Sequence, residues 1–210
     1  MKFWSGNRYP KHVVGDLTLR QQFFIFIWEL IKVVVISLVI IIPVRYYLIK
    51  PFYVKGASME PNFHDYEYLI IDEISYRFSQ PQRGDVVVFR YPDDPSQFFI
   101  KRTIGLPGER IKIANNQVTI YNQTNPQGVA LVEPYLATGL QTFGNIDLRL
   151  TANQYYLLGD NRPVSLDSRI FGPVPRHSII GHVLLRGWPI DRFGLLNTEV
   201  NYNLKSANSL

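Results

Sequence analysis

Apolar positions along the chain fall into two regimes. Residues 23–49 read FFIFIWELIKVVVISLVIIIPVRYYLI, and within them the uncharged core 33–44 is 12 residues long. That core alone is short of the ~20 residues that cross a bilayer. The segment 30–49 reaches this length if Lys32 and Arg45 snorkel their charges to the headgroups at either end. Glu29 and Lys32, three residues apart, can pair on one helical face. Tyr46, Tyr47, Phe52 and Tyr53 would supply an interfacial aromatic belt. β-Branched residues on every face suit lipid better than a one-sided core, and no small-x-small cleavage pattern follows as in a removed leader. The pattern predicts a single membrane-spanning helix over 23–50, after an N-terminal segment 1–22. Lys2, Arg8, Lys11, Arg20 and Lys32 precede its core and Arg45, Lys50 and Lys55 follow it, which places the N-terminus in the cytoplasm.

From residue 51 onward the period changes. Short apolar runs at 68–72, 85–90, 98–104, 110–114, 117–121, 154–158 and 181–186 predict strands. Arg83-Gly84, Pro92-Asp93-Asp94-Pro95, Pro107-Gly108 and Asn115-Asn116 mark turns between them. The expected fold is mainly β, a coiled antiparallel sheet or partly open barrel over 51–195, with a polar tail at 196–210 that frays.

Composition narrows the function. The 210 residues include no cysteine, which removes disulfides, cysteine-based zinc sites and a thiol nucleophile together. His12, His64, His177 and His182 are dispersed and show no local zinc spacing, and no glycine-rich phosphate loop is present, so neither metal nor nucleotide cofactor is expected. The net charge of +5 is scattered, with no basic run of the kind that binds nucleic acid.

Three segments could carry chemistry. Gly56-Ala57-Ser58-Met59-Glu60-Pro61 is a turn whose small residues let a substrate carbonyl approach a serine; alone it is also an ordinary serine-containing turn. On the strand 98–104, alternation places Phe99, Lys101 and Thr103 on one face and Arg102 on the other. Lys101 is either an edge charge reaching for water or, if its ammonium is buried, a base whose pKa falls toward ~7–8. Arg102 stays charged and cannot act as a base. The loop Gly159-Asp160-Asn161-Arg162-Pro163-Val164-Ser165-Leu166-Asp167-Ser168-Arg169 is dense in hydrogen-bonding groups. It reads as a surface network of Asx turns or as part of a site, with Asp167 and Arg169 placed to pair. No histidine lies near these segments, so Ser with Lys is the available pairing.

Taken together the segments resemble type I signal peptidase. The resemblance rests on Val54-Lys55-Gly56-Ala57-Ser58-Met59-Glu60-Pro61, Arg83-Gly84-Asp85-Val86-Val87-Val88-Phe89, Lys101-Arg102-Thr103-Ile104-Gly105-Leu106-Pro107-Gly108-Glu109, and the run from Gly159 to Pro175, in order after the anchor. Size and Gly187-Trp188-Pro189-Ile190-Asp191-Arg192-Phe193-Gly194 look like the compact Gram-positive and cyanobacterial or plastid forms. The resemblance implies a membrane-bound serine endopeptidase that cuts signal peptides from exported preproteins after small-x-small motifs. Its catalytic domain would then be extracytoplasmic, at a plasma, thylakoid or plastid membrane. It implies Ser58 as nucleophile, Lys101 as general base and Ser165 as the residue orienting the lysine. Asp167 with Arg169 would be a supporting salt bridge, and Asp160 and Asn161 would shape the loop. The oxyanion would be held by the Ser58 N–H, with Gly56 where some members carry a second, hydroxyl donor. A family-variable β subdomain is implied at about 112–153, with Glu133-Pro134-Tyr135 inside it and no bearing on catalysis. Partners implied are preproteins and the lipid bilayer, without nucleic acid; oligomeric state is left open. A non-catalytic binding relative and a self-cleaving Ser–Lys regulator are the rival readings. Intact Ser58, Lys101 and Ser165 speak against the first, and the anchor against the second.

Overall fold

The computed structural model describes residues 18–43, 49–196 and 202. The chain divides into two compact units after Pro43. The first contains helix α1, Leu19–Pro43, with an apolar stretch Leu19–Ile42 in which an 18-residue window reaches a mean hydropathy of 2.8. At 1.5 Å per residue these 24 residues extend about 36 Å, enough to cross a hydrocarbon layer of about 30 Å. The helix starts and stops earlier than the hydropathy pattern predicts, and Ile49 and Lys50, expected within it, belong instead to a strand over 49–53. Glu29 and Lys32 do pair, at 2.6 Å. Residues 1–17, Arg45, Tyr46, Tyr47 and the tail apart from Tyr202 lie outside the described residues.

The second unit is mainly β. Its strands are β1 (Ile49–Tyr53), β2 (Tyr68–Asp72), β3 (Val86–Tyr91), β4 (Asp94–Gly105), β5 (Arg110–Ala114), β6 (Gln117–Tyr121), β7 (Val129–Ala130), β8 (Ile146–Arg149), β9 (Gln154–Leu158), β10 (Val174–Pro175), β11 (Ile179–Trp188) and β12 (Gly194–Leu195). Eight strands form one antiparallel sheet in the order β1-β2-β11-β3-β4-β9-β10, with β12 on β11. Among the described residues β1 and β10 remain edges, so the sheet is coiled and open, not a closed barrel. A smaller antiparallel sheet, β7-β6-β5-β8, is built from strands within 110–149.

Burial explains which runs became strands. The unbroken run Val86-Val87-Val88-Phe89 suits a strand covered on both faces. Val86 and Val88 enter one apolar cluster with Met59, Phe63, Leu69 and Ile71; Val87 and Phe89 enter another with Tyr155 and Leu157. β9 alternates likewise, sending Tyr156 and Leu158 to a third cluster with the small sheet's Ile111, Ile113 and Ile120. β4 is longer than its apolar core suggests, because the turn after Tyr91 is tight and pairs Tyr91 with Asp94. Pro95 therefore sits in the exposed start of a strand, where its missing N–H matters least.

Candidate active site

The loop between β1 and β2 carries Ser58. Val54 N donates to Glu67 O at 2.9 Å and Tyr66 N to Val54 O at 3.1 Å, closing the loop at its neck. Met59 and Phe63 plunge into the core cluster beneath, and Asn62 N and Phe63 N both donate to Met59 O. Gly56 adopts φ +88°, a left-handed conformation that strains any side chain although a Cβ would meet open space. Its N–H is held by Asp65 Oδ1 at 2.9 Å. From the far side, Asn161 clasps the turn: its N donates to Ser58 O and its Nδ2 to Ala57 O, both at 3.0 Å. Ser58 N–H has no partner among the described residues, which leaves it free to donate to an incoming oxygen.

Lys101 lies near the middle of β4. Its Nζ is 2.7 Å from Ser58 Oγ and donates to Ile100 O at 2.8 Å. The residue is 4% exposed, so it is no edge charge reaching for water. Burial lowers its pKa from the usual lysine range to about 8, against the opposing pull of Asp167 and Asp160. A lysine so placed is neutral in an appreciable fraction of molecules near neutral pH, and a neutral amine beside a hydroxyl can take its proton.

In the loop after β9 the residues Asp160, Arg162, Ser165, Asp167 and Ser168 are buried, although Val164 and Leu166 stay exposed, so it is not merely a surface network. Asp160, wholly buried, accepts from Arg102 Nε and Nη2 at 2.8 and 2.7 Å and from Asn62 Nδ2 at 2.8 Å. Arg102 thus leaves β4 on the face opposite Lys101 and meets a carboxylate there. Asp167 accepts from Gly159 N, from Arg169 N and from the Arg169 guanidinium, whose Nε and Nη2 lie at 2.8 Å. Ser165 is also buried, but its Oγ makes no hydrogen bond; the structure does not join it to Lys101. Gly159 packs so closely that an added Cβ would stand 2.1 Å from Ser165 Oγ and 2.5 Å from Ser58 O.

An elongated groove of about 470 Å³ opens beside Ser58 and Lys101. Phe52, Phe98, Ile100, Val164 and Leu166 are among its apolar walls. Among the described residues β1 pairs only with β2, and the β4 segment 98–101 only with β3, so each leaves one backbone edge without a strand partner there. Among the described residues no three His, Asp or Glu side chains cluster as a metal site would need.

Of the residues singled out from sequence, Gly56, Ser58 and Lys101 line the groove; Asn161 holds the Ser58 turn from outside it, and Asp160, Ser165 and Asp167, the last paired with Arg169, are buried away from its lining. Sequence reading missed Asn62 and the buried Arg162. It also set aside Glu133 and Tyr135, which reach into the same neighbourhood. Arg102, on an apolar strand, was a usable signal, since a buried guanidinium demands a buried carboxylate; Arg162, in the polar loop after β9, was less so. For Asn62 no comparable signal exists.

A family model described as signal peptidase, peptidase S26, matches residues 27–188. The chain is 36% identical over 177 residues to a probable signal peptidase I-2 of Synechocystis, covering 81% of this chain and 78% of that protein. It is 34% identical over 181 residues to signal peptidase I of Leptolyngbya laminosa, covering 83% and 86%. To signal peptidase IB of Staphylococcus aureus it is 30% identical over 192 residues, covering 86% and 96%.

Proposed function

The chain belongs to the signal peptidase family, peptidase S26, and from that premise we propose that it cuts signal peptides with Ser58 as nucleophile and Lys101 as general base. The observation that carries the assignment is the 2.7 Å contact between Ser58 Oγ and a lysine amine withdrawn from water. Neutral Lys101 takes the hydroxyl proton as Oγ bonds to the scissile carbonyl carbon. The tetrahedral oxyanion accepts from the Ser58 N–H, which has no other partner among the described residues. As the C–N bond breaks, the ammonium of Lys101 returns its proton to the departing amine, leaving an acyl ester on Ser58. Water, deprotonated by the regenerated amine, then releases the acyl group.

Asp160, Asn161, Asp167 and Arg169 hold these two side chains in place, and Ser165 fills the wall beside Gly159. Gly56 supplies the turn and no second oxyanion donor. An extended substrate strand lies between the free edges of β1 and β4, where main-chain hydrogen bonds give affinity and the apolar walls admit small side chains only. Such a substrate comes from the bilayer that α1 spans, so tethering raises the effective concentration of both partners.

The test is cleavage, in detergent or lipid, of a preprotein with a small-x-small junction by wild type, Ser58→Ala and Lys101→Met. Loss of cutting in both folded variants supports the pair. A Lys101→Met enzyme near wild-type rate overturns the base assignment, and a wild type that binds without cutting overturns catalysis. The basic excess before the apolar segment supports an extracytoplasmic catalytic unit. Because the chain has no cysteine, Ser5→Cys and Thr198→Cys labelled with an impermeant maleimide test this. Labelling of Ser5→Cys in intact cells refutes it.

A further inference from the structure

The small subdomain sends one segment, residues 133–135, into the buried polar region behind the Ser58–Lys101 pair. The Arg102 guanidinium lies 4.0 Å from the centre of the Tyr135 ring while it grips Asp160 with two hydrogen bonds. Asn62 Nδ2 joins Tyr135 O and Asp160 Oδ2, both at 2.8 Å, so the strap is tied directly to the loop bearing Ser58. Glu133 neutralises Arg162, among the largest fully buried side chains, whose Nε donates to Gly159 O at 3.0 Å. The Tyr135 hydroxyl donates to Glu133 at 2.5 Å, and burial beside that carboxylate keeps the phenol protonated. Tyr202 stacks edge-on against the same ring.

We infer that Tyr135, backed by Glu133, is a positioning residue for the catalytic pair: it roofs the Arg102–Asp160 ion pair and, through Asn62, fixes the serine loop against it. This rests on the Ser58–Lys101 reading above. Two carboxylates bear on Lys101 by charge, Asp167 held by Arg169 and Asp160 held by Arg102. With the ring gone, water reaches the Arg102 pair and Asp160 is less neutralised. The lysine then holds its proton to higher pH, and the Tyr135 carbonyl that receives Asn62 Nδ2 is no longer fixed by a packed ring.

The experiment compares the full chain in micelles as wild type, Tyr135→Phe, Tyr135→Leu and Lys101→Met, measuring kcat, KM and the pH midpoint of kcat on one small-x-small preprotein. Tyr135→Phe keeps the ring and should stay within about threefold of wild-type kcat. Tyr135→Leu should lose roughly tenfold or more in kcat with KM little changed, and its midpoint should move alkaline by roughly half a pH unit. A folded Tyr135→Leu with the kcat and midpoint of Tyr135→Phe overturns the inference, as does a kcat lowered only in proportion to the folded fraction with no shift of midpoint. If Tyr135→Leu does not accumulate, Asn62→Ala, which removes the Nδ2 bonds to the Tyr135 carbonyl and to Asp160, carries the same expectations and the same refutation. Undiminished activity in Lys101→Met sinks the base assignment instead, and the ratio of kcat between Tyr135→Leu and Tyr135→Phe still decides the strap.

Discussion

Gly159 gives a sharp test of how tightly the site is built. In Gly159→Ala the new methyl would stand 2.1 Å from Ser165 Oγ, 2.6 Å from Ser165 Cβ and 2.5 Å from Ser58 O. Ser165 belongs to a loop that can shift, but Ser58 O is backbone in the turn that carries the proposed nucleophile. Opening that contact to an ordinary 3.4 Å moves the carbonyl by about 0.9 Å. The move also strains the hydrogen bond that Ser58 O receives from Asn161 N. A displacement near 1 Å at reacting atoms can cost on the order of 10²-fold in rate, and overpacking adds about 1–3 kcal/mol of destabilisation. The double variant Gly159→Ala/Ser165→Gly separates these effects. It removes both Ser165 contacts and should recover part of the stability, while the Ser58 contact persists and kcat stays low. The assay is kcat on a small-x-small preprotein beside chemical denaturation of the same samples. Gly159→Ala within about threefold of wild-type kcat and with unchanged stability would refute the packing argument.

Other expectations follow from the same geometry. With Lys101 titrating at about 8 and its neutral form active, kcat should rise through that pH and fall about tenfold per unit below it; a flat profile from pH 6 to 9 contradicts the assignment. The buried lysine sheds its proton near 8 when folded and near 10.5 when unfolded. The unfolded chain therefore binds more protons between those values, and stability climbs with pH across that window. Below it the buried ammonium is a standing penalty of up to about 3 kcal/mol. Lys101→Met should thus be more stable than wild type at pH 7 in denaturant titrations, with the gain shrinking by pH 10; identical pH slopes would contradict this. Glu109 pairs with Arg83 at 2.5 Å, both nearly buried, and accepts from Leu106 N. Glu109→Ala should lose about 3–5 kcal/mol yet keep kcat per folded molecule, and equal denaturation midpoints would count against that.

Local pattern carried much of this protein, and it failed in explicable places. The strand at Val86–Tyr91 was legible because a run buried on both faces is continuous in sequence. The two-residue strands β7, β10 and β12 carry too few positions for a period to register, and β8 alternates only half-buried residues. The apolar helix was visible, but hydropathy could not tell that Ile49 and Lys50 would join 51–53 in pairing with β2. Ser58, Lys101 and the loop 159–169 were legible as motifs because each concentrates unusual residues in a short span. Glu133, Tyr135 and Asn62 were not, since their meaning lies in partners 27 to 98 positions away. The resemblance argued that the subdomain has no bearing on catalysis, and the contacts of Tyr135 with Arg102 and Asn62 now motivate the opposite reading.

Lys101 and Arg102 are consecutive on β4, opposite Val87 and Val86 of β3, and both are buried, one against Ser58 and the other against Asp160. A slip of the β3–β4 hairpin by one residue would exchange the two sides. A guanidinium that never gives up its proton would then face the serine, and an ammonium would face the carboxylate. Such a misfolded hairpin could keep its strands and its charge balance while having no base at all. On the proposed assignment of Lys101 as base, strand alignment acts as an interlock: the peptidase cannot cut until this pairing is correct.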